Sequence, residues 1–219
     1  FAVIDGEHSA IDFSQAEDMV RGAEAVDLTP VMRVRANDES LILKALDLGV
    51  KGVQVPQVTT KGEAKGAVEA AYYTPQGERG FCCAVRAAKY SHVDCQEYVK
   101  KANREVLTIL HVEGQEGINN INQILEVNNI DVIFLGPYDL SQSLGVPGEV
   151  NHPDVVMAME ETIVKAKNQG TAVGTYAADV ETARKWTKLG VQYMTVGLDT
   201  AILYESSKSL VNKLKQGGR

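Results

Sequence analysis

Residues 131–137, with the sequence DVIFLGP, carry the clearest indication of the fold of this chain. The apolar and β-branched residues follow one another without the polar alternation of a strand that has one face in water. A strand of this kind is covered on both faces, as parallel strands are when helices pack against each side of their sheet. The stretch therefore indicates a parallel sheet rather than an antiparallel one.

Six further runs of the same character lie along the chain, and amphipathic segments with helical spacing separate them. The seven predicted strands are 1–5, 30–34, 52–56, 107–113, 131–137, 172–176 and 193–197. The predicted helices are 14–26, 38–48, 61–72, 94–105, 117–127, 154–168, 180–189 and 200–214. Alternating strands and helices predict either a doubly wound sheet or a (β/α) barrel. The barrel is favoured, because no nucleotide-binding glycine motif follows a strand.

Composition narrows the class of protein. The chain has 219 residues, of which 44% are hydrophobic and 23% charged, as in an ordinary globular domain. We expect one domain over 1–219, and no apolar run is long enough to cross a membrane. The formal net charge of −7 disfavours nucleic acid as a partner, because an acidic surface repels phosphates.

The three cysteines, Cys82, Cys83 and Cys95, form a poor disulfide framework, because their number is odd and two are adjacent. No pair has the C-x-x-C spacing of zinc sites. We therefore expect free thiols and a cytoplasmic protein.

Ionisable residues stand where the predicted strands end, and the carboxyl ends of barrel strands form the active site. Glu113 and Asp139 end strands in neighbouring β/α units. Two converging carboxylates repel each other unless they share a proton or a cation, and their oxygens suit a hard divalent ion such as Mg²⁺ or Mn²⁺. The alternative is that each carboxylate only caps the helix that follows.

Three other side chains extend this candidate site. Arg33 suits a carboxylate or a developing enolate, or else forms a salt bridge with Asp38 or Glu7. His8 is a candidate general base with Asp5 as its nearby carboxylate, or else an ordinary loop histidine.

His111 shares a strand face with Glu113, and it could bind metal, contact substrate or fill the barrel interior. Together these groups predict metal-assisted enolisation of a carbonyl compound. A Schiff-base route is disfavoured because no lysine ends a predicted strand.

Six motifs occur in order: DGEHS at 5–9, PVMR at 30–33, LDLG at 46–49, VPQV at 55–58, YTPQGERG at 73–80 and FLGPYDLS at 134–141. With them the chain resembles the metal-dependent (class II) pyruvate aldolases of the 4-hydroxy-2-oxo-heptanedioate aldolase family. The resemblance implies a (β/α)₈ TIM barrel of the phosphoenolpyruvate/pyruvate superfamily. It also implies a homohexamer in which neighbours exchange the C-terminal helix at about 200–215.

The resemblance further implies reversible cleavage of a 4-hydroxy-2-oxo acid to pyruvate and an aldehyde through a metal-stabilised enolate. The metal it implies is Mg²⁺, Mn²⁺ or Co²⁺. The metabolic setting it implies is the catabolism of aromatic compounds. The aldehyde stays open. A related metal-enolate lyase, such as an oxaloacetate decarboxylase or acyl-CoA lyase, is the alternative, followed by a non-catalytic protein that binds 2-oxo acids.

Site roles follow from the same resemblance, residue by residue. His8 matches the base, and Arg33 matches the transition-state arginine. Glu113 and Asp139 match the metal ligands. The backbone at Tyr138 and Asp139, within the segment Gly136-Pro137-Tyr138-Asp139, matches the contact with the pyruvate carboxylate. Asp47 matches an aspartate that raises the basicity of the base, and we expect it to act from a neighbouring subunit. The family usually has glutamine where this chain has His111.

The number of strands is one short of a complete barrel. An eight-stranded barrel typically takes about 250 residues, and the family places one further β/α unit before the strand that carries His8. We therefore expect residues 1–219 to form a barrel without its first β/α unit.

Overall fold

Seven parallel strands form one sheet in which each strand pairs with the strands before and after it in the chain. The structure, a computed structural model, describes residues 1–216. The strands are β1 Ala2–Asp5, β2 Pro30–Arg33, β3 Gly52–Val55, β4 Leu107–His111, β5 Val132–Leu135, β6 Ala172–Ala177 and β7 Tyr193–Val196. The sheet curls into a nearly closed barrel, which confirms the predicted fold class.

Ten α-helices lie among the strands in residues 1–216. They are α1 Phe13–Glu24, α2 Glu39–Asp47, α3 Lys61–Ala71, α4 Cys95–Glu105, α5 Gln115–Asn119, α6 Ile121–Ile124, α7 Pro137–Ser143, α8 Pro153–Asn168, α9 Val180–Leu189 and α10 Asp199–Gln216. Side-chain caps start several of them. In α3, for example, the Thr60 side chain accepts from the Glu63 N–H while Glu63 reaches back to the Thr60 N–H.

Two differences between the predicted and the observed elements have a clear local cause. The helix predicted at 117–127 is divided into α5 and α6 at Asn120, whose backbone leaves the helical region and whose side chain donates to the carbonyl of Thr59. The strand predicted at 131–137 ends at Leu135, because Pro137 begins α7. Proline favours the first helical position, since its fixed φ suits the helix and its missing N–H is not needed there.

The apolar core has two parts. The larger cluster packs helices against the sheet, and the smaller one comprises Val31, Ile109, Val132, Phe134 and Tyr193. Because side chains alternate along a strand, Val31 shares its face with Arg33, and Ile109 shares its face with His111. The smaller cluster therefore lies beneath Arg33 and His111, two of the site residues predicted from the sequence.

Two of the three cysteines are joined in a disulfide. The loop after α3 turns back through Lys89, Tyr90 and Ser91, all with positive φ, and brings Cys83 to the first turn of α4, where its sulfur bonds that of Cys95. The expectation of three free thiols is therefore wrong for this pair, and only Cys82 is free. The sequence does not reveal this turn, because none of its three positive-φ residues is glycine.

The last helix has no buried side chain in this chain alone. Its exposed apolar residues include Ile202, Leu203, Tyr204, Leu210, Val211 and Leu214. None of the helices in residues 1–216 is long and apolar enough for a bilayer crossing. The predicted domain, 1–219, ends in three residues that lie outside the described part of the chain.

Candidate active site

Arg33 and Asp5 form a paired group at the carboxyl ends of β1 and β2. The parallel register places these two residues side by side. The Nε and Nη2 atoms of Arg33 donate to the two oxygens of Asp5 at 2.8 and 2.6 Å, and Nη1 lies 3.1 Å from Oε2 of Glu7. The salt bridge to Glu7 is therefore present, whereas Asp38 instead caps α2.

Ion pairing shifts the titration of both partners. Burial acts to raise the pKa of Asp5, but the hydrogen bond and charge of Arg33 outweigh it and leave that pKa below its ordinary value. Burial likewise acts to lower the pKa of Arg33, while Asp5 and Glu7 raise it overall. Because Asp5 occupies the forked edge of the guanidinium, Arg33 retains only its outer N–H groups for a substrate oxygen.

Replacing the Asp5 carboxylate with an amide is expected to lower the free energy of unfolding at pH 7. It should also make that free energy depend less on pH in the acid range. Asp5→Asn should cost about 1.5–3 kcal/mol at pH 7, as for hydrogen bonds to charged groups. A carboxyl whose pKa is lowered on folding stabilises the protein above its unfolded pKa and loses that contribution as the pH falls through its folded pKa. Denaturant unfolding between pH 7 and 3 should therefore show a shallower acid loss for Asp5→Asn than for wild type.

Asp18→Asn is the matched control, because it removes a carboxylate whose ion pair with Arg21 lies at the surface. Surface ion pairs contribute little to stability, so its acid slope should stay close to that of wild type. Equal acid slopes for Asp5→Asn and wild type would contradict a stabilising role for the Asp5–Arg33 pair.

The ring of His8 faces Glu7 rather than Asp5. Its Nε2 lies 3.8 Å from Oε2 of Glu7, whereas Asp5 accepts only the backbone N–H of His8, at 3.2 Å. The His8 side chain is 63% exposed and thus open to a substrate, while that of Glu7 is only 7% exposed. The expected partnership of Asp5 with the imidazole is therefore not formed in this structure.

Glu7 is a site residue that the sequence reasoning passed over. Burial raises the pKa of Glu7, and the negative charge of Glu113 adds to that rise, although Arg33 opposes it. Within the described residues its Oε2 accepts no hydrogen bond, despite the ion-pair distance to Arg33. The available signal was its place one residue before His8 in the DGEH segment that follows β1.

Glu113 stands just beyond β4, almost fully buried. Its Oε1 accepts from the backbone N–H of Gln57 at 2.9 Å, and its Oε2 lies 3.4 Å from Nδ1 of His111. Burial acts to raise the pKa of Glu113, but His111, the Gln57 N–H and the charge of Arg33 outweigh it and lower that pKa. Glu113 is therefore held as a carboxylate at the mouth of the barrel.

Gln57 links the two sides of the site and was not nominated from the sequence. Its backbone adopts φ of +56°, which turns the chain after β3. That turn directs its N–H to Glu113, while its Nε2 donates to Oε1 of Glu7 at 3.3 Å. A positive φ at a residue other than glycine leaves little trace in a sequence.

Asp139 and Glu113 converge on Gly136. A Cβ added to Gly136 would lie 2.7 Å from Oε2 of Glu113 and 3.6 Å from Oδ2 of Asp139, so glycine leaves room for both carboxylates. Asp139 lies in the first turn of α7, where its side chain is exposed beside that of Tyr138. Pro137 starts this helix and is buried, which fixes where the turn begins.

His111 is buried inside the barrel, where its ring stacks on Phe134 with the centroids 4.3 Å apart. Its Nε2 lies 3.2 Å from Oε1 of Gln54, and the Nε2 of Gln54 donates to the hydroxyl of Tyr193 at 3.0 Å. His111 therefore does more than fill the barrel interior. It belongs to a buried series of hydrogen-bonded side chains that runs from Tyr193 on β7 through Gln54 on β3 to Glu113.

Asp47 lies away from this cluster. It ends α2, which leads into the amino end of β3, so it stands at the opposite rim from His8. There it accepts from Nη2 of Arg79 at 2.7 Å. Asp47 therefore does not reach His8 of its own barrel, where no action of Asp47 was expected from the sequence.

The donor set at the β4 and β5 ends fits a divalent cation. Two carboxylates, one of them held ionised, face the space that Gly136 leaves open, and oxygen donors suit a hard ion. Among residues 1–216, no group of three His, Cys, Asp or Glu side chains is placed so that it could hold a metal ion. Two carboxylates are enough for a hard ion, because substrate and water ordinarily supply further ligands.

Comparison with known proteins gives consistent matches over nearly the whole chain. Residues 1–206 match the family described as HpcH/HpaI aldolase/citrate lyase. A pyruvate aldolase of Rhizobium etli is 35% identical over 210 residues, which cover 96% of this chain and 82% of that protein. A 4-hydroxy-2-oxo-heptane-1,7-dioate aldolase of Escherichia coli is 34% identical over 209 residues, which cover 95% of this chain and 79% of that protein.

A solved structure agrees with the sequence matches. The crystal structure of an HpcH/HpaI aldolase/citrate lyase family protein from Burkholderia cenocepacia J2315 superposes with a TM-score of 0.91 and 32% identity. The match covers 97% of this chain and 84% of that one.

Proposed function

Because the chain belongs to the HpcH/HpaI aldolase/citrate lyase family, we propose that it cleaves a 4-hydroxy-2-oxo acid, reversibly and with a divalent cation, to pyruvate and an aldehyde. Membership confirms the resemblance drawn from the six motifs and the expectation of a carbon–carbon lyase. The convergence of Glu113 and Asp139 on Gly136, at the same rim as Arg33 and His8, supports the proposal most directly.

The cation would be held by Glu113 and Asp139. When bound, such an ion polarises the 2-oxo group of the substrate and stabilises the negative charge that develops on its oxygen. Mg²⁺, Mn²⁺ and Co²⁺ are the ions proposed.

The protein's own groups would bind the substrate and move its proton. His8, exposed to the barrel mouth and 3.8 Å from the carboxylate of Glu7, removes the proton from the 4-hydroxyl group. As the C3–C4 bond breaks, the aldehyde leaves, and the electron pair of that bond forms the enolate of pyruvate. A proton then returns to C3 of the enolate and gives pyruvate. The outer N–H groups of Arg33 donate to the developing oxyanion, while Asp5 holds the guanidinium in position.

The substrate carboxylate would bind at the first turn of α7. There the backbone N–H groups of Tyr138 and Asp139 have no helical acceptor, as is general for the first turn of a helix. Gly136 and Pro137 set the start of that turn. We include these four residues in the proposed substrate site.

Related lyase chemistry is the second candidate function, because the family description also names citrate lyase. An oxaloacetate decarboxylase or acyl-CoA lyase would use a similar cation and enolate. A protein that binds 2-oxo acids without turnover is the remaining alternative.

The deciding experiment is a turnover assay with pyruvate and a panel of aldehydes: succinic semialdehyde, lactaldehyde, glycolaldehyde and tartronate semialdehyde. We expect aldol products that disappear with a chelator and return with Mn²⁺ or Mg²⁺. Parallel reactions with oxaloacetate and with citryl- and malyl-coenzyme A test the second candidate. Pyruvate binding without turnover of any substrate would contradict an enzymatic function.

Assembly and location extend the proposal. We propose a cytoplasmic homohexamer in which α10 packs against a neighbouring barrel, because this helix carries several exposed apolar side chains and buries none within its own chain. In such an assembly Asp47 acts on the base of a neighbouring subunit.

Crowding at Gly136 should weaken cation binding. In Gly136→Ala the new Cβ would lie 2.7 Å from Oε2 and 2.9 Å from Cβ of Glu113, so the whole Glu113 side chain would have to shift. We expect cation affinity, measured by calorimetry, to fall about 10–100-fold, as for disturbed support of a metal ligand.

Gly66→Ala is the matched control, because nothing lies within 4 Å of a Cβ at that helical position. It should bind the cation like wild type. If Gly136→Ala also binds like wild type, the cation does not lie beside Glu113.

A further inference from the structure

Two carboxylates, those of Asp5 and Glu7, precede His8 within three residues, and the oxygens of Asp5 already have partners. Its Oδ1 accepts the backbone N–H groups of Glu7 at 2.9 Å and of His8 at 3.2 Å, and both of its oxygens accept from Arg33. The two backbone contacts close an Asx turn after β1. Asp5 therefore fixes the loop and the guanidinium, and its carboxylate is not directed to the imidazole.

Glu7 has an oxygen that accepts no hydrogen bond and lies beside the imidazole. Its side chain is only 7% exposed, and its Oε1 accepts from Nε2 of Gln57. Within residues 1–216 its buried Oε2 accepts no hydrogen bond, although it lies 3.1 Å from Nη1 of Arg33 and 3.8 Å from Nε2 of His8. A buried carboxylate oxygen is costly to leave unpaired, so its place beside His8 needs a reason.

We propose that Glu7 is the positioning residue of the base, and that its charge stabilises the positive charge that His8 gains when the proton of the 4-hydroxyl group moves to the imidazole. A carboxylate beside a histidine orients the ring and favours its protonated form. Gln57 holds Glu7 in place through Oε1. This inference rests on the proposed function, and it names the carboxylate of the same chain through which His8 is supported.

A double-mutant cycle tests whether Glu7 acts through His8. Pyruvate release is measured for wild type, Glu7→Gln, His8→Ala and the double variant, with the 4-hydroxy-2-oxo acid made from the best aldehyde of the panel. We expect Glu7→Gln to lower kcat about 10–100-fold, as for outer partners that orient a functional side chain. The same substitution should cost almost nothing in the His8→Ala chain, because the residue on which it acts is absent.

The pH dependence of kcat/KM separates the charge of Glu7 from its shape. Arg33, His8, Glu113 and His111 are the charged or titratable groups around Glu7, and Glu7→Gln leaves all four in the chain. Without the neighbouring negative charge, His8 should stay unprotonated to a lower pH. The acid limb of the profile should therefore move to lower pH by about 0.5–1 pH unit.

Glu7→Asp guards against a folding defect in Glu7→Gln. It keeps the charge, so its acid limb should stay close to that of wild type and its loss of kcat should be smaller. Thermal unfolding of each variant shows whether it is folded. Glu160→Gln, at an exposed position of α8, is the matched control and should turn over like wild type.

The outcomes separate this inference from the proposed function. Equal losses from Glu7→Gln with and without His8, or a larger loss in Glu7→Asp than in Glu7→Gln, would overturn the role of Glu7 alone. So would an undiminished kcat in Glu7→Gln together with a loss in Asp47→Asn, because the supporting carboxylate would then come from a neighbouring subunit. A wild-type chain that turns over no substrate would overturn the proposed function itself.

Discussion

Glu113→Gln is expected to abolish cation-dependent exchange of the C3 protons of pyruvate, with a loss of at least about 100-fold. The substitution keeps the size of the side chain but removes the charge that would bind the cation. Glu113 also balances Arg33, which contributes to its lowered pKa, so the amide leaves the positive charge of Arg33 less compensated. The measurement is the loss of the pyruvate methyl proton signal by NMR in deuterated buffer, with and without added Mn²⁺.

Glu116→Gln serves as the control for Glu113→Gln. Glu116 lies on the exposed side of α5, three residues along the chain, and should exchange like wild type. Exchange by Glu113→Gln at near the wild-type rate would show that the cation is held elsewhere.

His8→Ala is expected to reduce retro-aldol turnover by about 10²–10⁴-fold, the usual contribution of a general base. Cation binding should be retained, because His8 makes no contact with Glu113 or Asp139 among the residues described. The change lies at an exposed loop side chain, so the fold should be preserved. Turnover of a 4-hydroxy-2-oxo acid, followed through pyruvate release, gives the rate, and calorimetry gives the cation affinity.

His92→Ala removes another exposed histidine and should leave turnover unchanged. If His8→Ala turns over at the wild-type rate, the base lies elsewhere. A parallel loss of turnover and cation binding would instead place His8 with the cation ligands.

The strands were predictable because each carries its signal locally. Parallel strands buried on both faces, such as β3 and β5, appear in the sequence as continuous apolar runs between polar helices. All seven predicted strands overlap observed ones. The short helix α7 was not predicted, because its first residue, Pro137, directly follows the apolar run and was assigned to the end of the strand.

Contacts between distant segments were less predictable than the elements themselves. The sequence placed Arg33 at the end of a strand, but only the parallel register of β1 and β2 shows that Asp5 takes its forked edge. Glu7, not Asp5, faces the ring of His8, because the chain turns sharply just after β1. The Cys83–Cys95 bond likewise depends on a turn that brings together two residues 12 positions apart, and the local sequence pattern does not predict that turn.

Local sequence determined the order of strands and helices and the rim on which the ionisable residues stand, since periodicity and strand ends are properties of neighbouring residues. Tertiary structure alone decided the partners of those residues: Gln57 bonds Glu113, Gln54 bonds His111, and Tyr193 bonds Gln54 in turn. Hydrogen bonds and ion pairs act over about 3 Å. Which groups come that close across the barrel depends on strand register and backbone turns, and these are set by the packing of the whole domain.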